Sequence, residues 1–168
     1  MGKSDMLKLN TTDEKCRAII DRLISHLDKF PEGNFNRLLD KTLIGFNIEE
    51  RWIDFRFVAD ERHINIIGAV HGGIMAGLAD ECMGYGTAAL IGMQDESLTT
   101  CDMQFNCLKA VYKGDELRGL VSLKHLGRRF LVAGADIFRG DELVFIATEN
   151  LARIPQAVLS RDSTLFQM

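Results

Sequence analysis

From Asn65 to Glu81 the chain reads Asn-Ile-Ile-Gly-Ala-Val-His-Gly-Gly-Ile-Met-Ala-Gly-Leu-Ala-Asp-Glu, and from His71 to Met93 its only charged residues are Asp80 and Glu81. A stretch this apolar is expected to be buried, and a buried carboxylate is costly unless it is paired or put to use. Asp80 is therefore a candidate for general-base or nucleophilic chemistry. His71 falls where a helix would begin, followed by Gly72 and Gly73. The first amides of a helix lack internal partners and sit at the positive end of its dipole, so an anion or a polarised carbonyl oxygen is well placed there. Gly72 can offer its N–H with no side chain in the way. Plainer readings exist: His71 as a simple cap, the glycines as close-packing positions, Glu81 as a structural ion pair or a solvent contact. Asn65, two glycines and an aspartate in one segment favour the chemical reading.

The helix that carries these groups is expected over about 71–93. At about 100° per residue, Ile74, Leu78, Cys82, Tyr85 and Met93 form a bulky stripe that should pack on a sheet. Gly73, Gly77, Asp80 and Gly84 form the opposite stripe, which would let another backbone or a ligand approach. Gly84-Tyr-Gly86 lies inside the helix rather than after a strand, so it is no dinucleotide fingerprint. Upstream, Cys16, Ile19, Ile20, Leu23, Ile24, Leu27 and Phe30 have amphipathic helical spacing. A capping box at Thr11/Glu14 would open that helix, and Pro31-Glu-Gly33 would end it. A short helix is expected near 34–40, then strands at Leu43–Glu49 and Trp52–Ala59 joined by a tight turn at Glu50-Arg51, and an apolar loop over 64–70. After Gln94 the period changes to two. Cys101, Met103, Phe105 and Cys107 alternate with polar residues, and turns at Gly114-Asp115, Gly127-Arg128 and Gly140-Asp141 divide 98–153 into four strands, expected as an antiparallel meander. The economical architecture is α+β, a curved antiparallel sheet wrapped around one long helix. It divides the chain into an N-terminal helical extension (1–41), a main domain (42–155) and a C-terminal tail (156–168).

With 168 residues, a formal net charge of -4 and a pI near 5.6, the chain reads as one globular domain, and general nucleic-acid or anionic-membrane binding is not expected. Asp80-Glu81 and six glycines also speak against the central helix as a membrane span. Residues 1–12 are polar, so no secretory leader is expected, and the location inferred is cytoplasmic. Cys16, Cys82, Cys101 and Cys107 show no zinc-ligand spacing, and the four histidines are scattered; no metal or cofactor is expected. Cys101 and Cys107 read as small, reduced core residues. No Gly-x-Ser-x-Gly elbow is present, which disfavours a serine triad of the α/β-hydrolase kind.

The spacing Asn65, His71-Gly72-Gly73, Asp80 resembles the motif of the hotdog-fold acyl-CoA thioesterases, in particular the phenylacetate-degradation type. The resemblance runs from about Leu43 to Arg153 and includes the Thr100-Cys-Asp-Met segment and the Gly127-Arg-Arg turn. It implies a hotdog fold, with Asp80 as nucleophile or as the base that activates water. The Gly72 N–H would polarise the thioester carbonyl, with His71 assisting placement and Gly73 contributing to substrate binding, and Asn65 would hold the loop and the substrate or water. Thr100 would orient the attacking water, although strand parity leaves open whether Thr99 or Thr100 faces Asp80. It also implies a homodimer, or a dimer of dimers, with Asn65, His71 and Gly72 from one chain meeting Asp80 and Thr100 of the other. Lys124, Arg128 and Arg129 form the best local cluster for the phosphates of CoA, with a solvated hairpin turn as the plainer reading. A non-catalytic acyl-CoA-binding or regulatory protein on the same fold is the main alternative, and a hydratase-type hotdog enzyme a further one.

Overall fold

The computed structural model describes residues 11–26 and 33–155. The expectations for 1–10, for the continuation of the first helix and its Pro31 stop over 27–32, and for the tail over 156–168 lie outside these residues. Helix α1 (Asp13–His26) and the short α2 (Phe35–Leu38) precede strands β1 (Lys41–Asn47) and β2 (Trp52–Val58). The long helix α3 (Gly72–Leu90) then leads to β3 (Glu96–Cys107), β4 (Glu116–Leu126), β5 (Phe130–Arg139) and β6 (Glu142–Pro155). All six strands join one antiparallel sheet in the order β1-β2-β4-β5-β6-β3, with α3 packed against it. This is the hotdog architecture. Among the described residues no helix is long and apolar enough to cross a membrane.

Two expectations about the strands need correction. Strands β4, β5 and β6 form a meander, but β3 pairs with β6 rather than with β4. The flank of β4 that a simple hairpin would have used is taken by β2, so residues 108–115 carry the chain away from β3 instead of folding it back. Strand β3 therefore lies at the outer edge of the sheet. As a result Cys101 and Cys107, read as core thiols, are exposed, and Phe105 is 46% exposed. Their alternation is genuine, but among the described residues the apolar face of that edge is only partly covered.

The helices show smaller shifts. The cap of α1 is Thr12, whose hydroxyl accepts from the Lys15 N–H, one residue beyond the expected capping box. Helix α3 ends at Leu90 because Gly92, at φ 66°, takes the left-handed position of a Schellman motif. The Gly92 N–H donates to Ala89 O and the Met93 N–H to Ala88 O, both at 3.0 Å. The sheet-facing side of α3 is also rotated from the expected stripe. Cys82 and Gly86 lie against Gly119, Val121 and Phe55 of the sheet, whereas Ile74 and Tyr85 are half-buried. The apolar positions run nearly all round this helix, so a single stripe could not be picked out by size alone.

Candidate active site

His71 caps α3 and exhausts most of the free amides of its first turn. Its Nδ1 accepts from the Gly73 N–H at 2.9 Å, and its carbonyl accepts from Ile74 N–H at 2.9 Å and Met75 N–H at 3.2 Å. The Gly72 N–H alone in that turn has no acceptor among the described residues. A Cβ on Gly72 would meet nothing closer than Cys107 Sγ at 3.8 Å, so the approach to this amide is open. The chain enters the helix through a loop pinned by Asn65, whose Oδ1 accepts from Ile67 N–H (3.0 Å) and Ala69 N–H (3.2 Å). Gly68, at φ +85°, makes the turn possible, and it leaves Ile66 and Ile67 at the tip, 104% and 81% exposed.

Asp80 lies two turns further along, half-buried in the wall of a cavity. The cavity is bounded by Gly84 and Tyr85 of α3, Thr100 of β3, and Leu23 and Phe35 of the N-terminal helices. The Thr100 hydroxyl donates to Asp80 Oδ1 at 2.7 Å. Thr99, the other candidate hydroxyl, is not Asp80's partner. The register of β3 against β6 slips between Thr100 and Asp102, so Cys101 is a bulge residue that re-aims Thr100 toward the helix.

The glycine stripe is divided in use. A Cβ on Gly77 would fall 2.4 Å from Phe35 Cζ, so Gly77 exists to seat that ring, while Gly84 has open space before it. Glu81 also borders this cavity but is held in a buried ion pair with Lys41, whose ammonium also stands 4.3 Å from the Tyr85 ring centroid. Burial raises the Glu81 carboxyl above its ordinary value, and the Lys41 charge offsets only part of this.

A third carboxyl, missed in the sequence, completes the cluster. Glu149 of β6 is fully buried, and its Oε1 is in short hydrogen-bond contact with the Thr100 hydroxyl. Burial, reinforced by the negative charge of Asp80, pushes its pKa up to about 8 against the lowering pull of the Thr100 hydrogen bond. A signal was available: Phe145, Ala147, Glu149 and Leu151 share one face of β6, so the glutamate occupies a core position in the two-residue period.

The basic cluster stands apart but at the same end of the sheet. Arg128 and Arg129 are exposed on the β4–β5 turn, and the Arg129 guanidinium stands 5.5 Å from the Phe130 ring. Phe130 pairs with Ala152, which pairs in turn with Thr99, so this turn is two strands, roughly 10 Å, from the start of the site strand. Lys124, at a bulge in β4, lays its side chain across Gly134.

Comparison with known proteins shows similarity over part of the sequence and most of the fold. Residues 67–146 match the family model of the thioesterase superfamily. A protein of Pseudomonas aeruginosa named "Putative esterase PA0474" is 30% identical over 89 residues, covering 53% of this chain; the chain spans 66% of that relative's length. Among solved structures, the E. coli PaaI protein from the phenylacetic acid degradation operon superposes with a TM-score of 0.70 at 17% identity, over 86% of this chain and 96% of that one. A Streptococcus mutans UA159 protein solved with bound acetyl CoA gives 0.61 at 20% identity, over 68% and 89%. At these identities the two structures bear on the fold.

Proposed function

We propose that this chain, whose residues 67–146 match the family model of the thioesterase superfamily, is an acyl-CoA thioesterase that hydrolyses a thioester to a free acid and CoA. The observation that carries the reading is Asp80: a half-buried carboxylate, fixed by a hydroxyl at 2.7 Å, in the wall of a cavity lined by both apolar and polar side chains. A thioester is already activated, so a positioned carboxylate and an oxyanion donor are sufficient machinery. Asp80 acts either as nucleophile on the carbonyl carbon or as the base that takes a proton from water. The unclaimed Gly72 N–H accepts the charge that develops on the carbonyl oxygen, with His71 and Gly73 shaping the turn around it. Bound acetyl CoA in the structural neighbour from Streptococcus mutans supports CoA thioesters as the ligand class.

One chain cannot bring these parts to a single carbonyl. Eight residues of α3 separate Gly72 from Asp80, about 12 Å of rise, whereas both must lie within about 3 Å of the reacting group. The site therefore takes Asn65, His71 and Gly72 from one protomer and Asp80 and Thr100 from a second copy. The unpaired outer edge of β3, with Phe105 46% and Leu108 44% exposed, supports pairing of two such edges. Lys124, Arg128 and Arg129 are the cations offered to the CoA phosphates.

The test is release of free thiol from a panel of aryl, short, medium and long acyl-CoAs. Turnover on at least one class is expected, and it should vanish in Gly72→Pro. Proline suits the first position of a helix and, at φ −63° and ψ 134°, His71 already has the conformation a following proline demands. The substitution thus removes the N–H and little else. No thiol release by the wild type on any member would leave the acyl-CoA-binding reading in its place.

A further inference from the structure

The Thr100 hydroxyl touches two carboxyl groups, Asp80 Oδ1 and Glu149 Oε1, at hydrogen-bonding distance. A hydroxyl has one proton and can donate it once. Were both carboxyls ionised, one of the two contacts would set oxygen lone pairs against each other with no proton between them. The cluster therefore holds one proton more than the threonine supplies. Its place follows from burial: Asp80 borders a cavity, whereas Glu149 is 0% exposed and its Oε2 has no hydrogen-bond partner. A charge costs less on Asp80.

We propose that Glu149 is a positioning residue held as the neutral acid, donating its proton to Thr100 Oγ1 so that Thr100 must donate its own to Asp80 Oδ1. The sequence Glu149, Thr100, Asp80 then runs in one direction. It fixes one oxygen of Asp80 and leaves the other to address the thioester or the water. Glu149 never meets substrate; it acts through Thr100. The inference rests on the reading of Asp80 as the working carboxylate.

The surroundings agree. From α3 the charged group facing Glu149 is Asp80, from β3 the polar group is Thr100, and its cross-strand partners are Met103 and Ala133, which carry no charge. Burial and the Asp80 charge hold the acid up to about 8. The relay is intact below that pH and breaks above it, when Glu149 ionises and Thr100 is left between two anions.

The test compares the full-length wild type with Glu149→Gln and Glu149→Met. Glutamine keeps a donor for Thr100 and cannot ionise; methionine fills the space without a donor. Infrared titration should show, in the wild type, one protonated-carboxyl C=O band that disappears as pH rises through about 8 and is missing from Glu149→Gln. In acyl-CoA turnover, wild-type kcat should fall through the same pH, Glu149→Gln should keep neutral activity without that fall, and Glu149→Met should lose at least ~10-fold, as for a displaced catalytic group. Loss of activity in Glu149→Gln equal to that in Glu149→Met would overturn the proposal, because the residue would then be needed as an anion. So would unaltered activity in both, or a wild type lacking the extra band. A wild type that turns over no acyl-CoA sinks the thioesterase reading instead, and leaves the infrared result to decide the proton.

Discussion

Asp80 and Glu81 are adjacent in sequence and opposite in consequence. Both border one cavity, but Asp80 is half-buried and held by the Thr100 hydroxyl, whereas Glu81 is buried against Lys41. Asp80→Asn preserves shape but not charge, so turnover should fall at least ~10²-fold with little change in melting temperature. Glu81→Gln should do the reverse. Breaking a buried pair leaves Lys41, 1% exposed, without its counter-charge, a cost of about 3–5 kcal/mol. Melting temperature should drop sharply while turnover per folded molecule stays near that of the wild type. A dead but stable Glu81 variant would mean that the wrong carboxylate has been assigned to the chemistry. At this scale the sequence was legible where type and spacing coincide, as in His71-Gly72-Gly73. It was not legible where a polar group hides in a strand. Glu149 sits between an exposed Thr148 and an exposed Asn150, so it reads as surface unless the whole face of β6 is counted. The choice of Thr100 over Thr99 hangs on the bulge at Cys101, which no residue type announces.

At the scale of elements, α3 shows how one stripe can serve two ends. Gly77 accommodates the ring of Phe35, and Gly84 opens onto the cavity beside Asp80. Alanine in place of glycine inside a helix is ordinarily worth up to ~1 kcal/mol of stability. Gly84→Ala should show that gain as a raised melting temperature, and should shift relative kcat/KM toward smaller acyl groups because the new methyl projects into the cavity. Gly77→Ala should lose stability despite the better propensity, since a Cβ 2.4 Å from Phe35 Cζ forces the ring out. Adding Phe35→Ala to Gly77→Ala should recover part of that loss. Equal effects from Gly77→Ala and Gly84→Ala would show that the glycines respond to helix propensity alone. The cavity thus borrows a wall from α1 and α2, elements outside both the sequence motif and the matched family segment. Periodicity revealed those helices but not what they cover, because an amphipathic pattern records that a face is buried and not against what.

The basic turn between β4 and β5 is a second element whose role can be separated by kinetics. Reversing charge at Arg128 and Arg129 should raise KM for acyl-CoA more than it lowers kcat, since phosphate contacts far from the carbonyl hold ground state and transition state alike. The effect should shrink in high salt. A short thioester without the nucleotide should be indifferent to the change, and equal losses on both substrates would assign these arginines to the fold.

At the scale of the whole molecule, the outer edge of β3, the isoleucine tip at 66–67 and the Gly72 amide are each left open among the described residues. The misreading of Cys101 and Cys107 has the same origin. Their alternating pattern records a face that needs covering, and the cover, on the dimer reading, is another copy of the chain. The helical rise of about 12 Å between Gly72 and Asp80 makes that reading decidable. Asp80→Asn and Gly72→Pro should each be inactive as homodimers. Mixed and re-paired, they form heterodimers in which one site takes Gly72 from the Asp80→Asn chain and Asp80 from the Gly72→Pro chain, both intact, while the other site carries both lesions. With random re-pairing half of the dimers are mixed, each with one working site of two, so activity should return to about a quarter of wild type. Subunit exchange verified by a tag on one variant, with no return of activity, would put the oxyanion donor and the carboxylate of each site on the same chain and end the shared-site model.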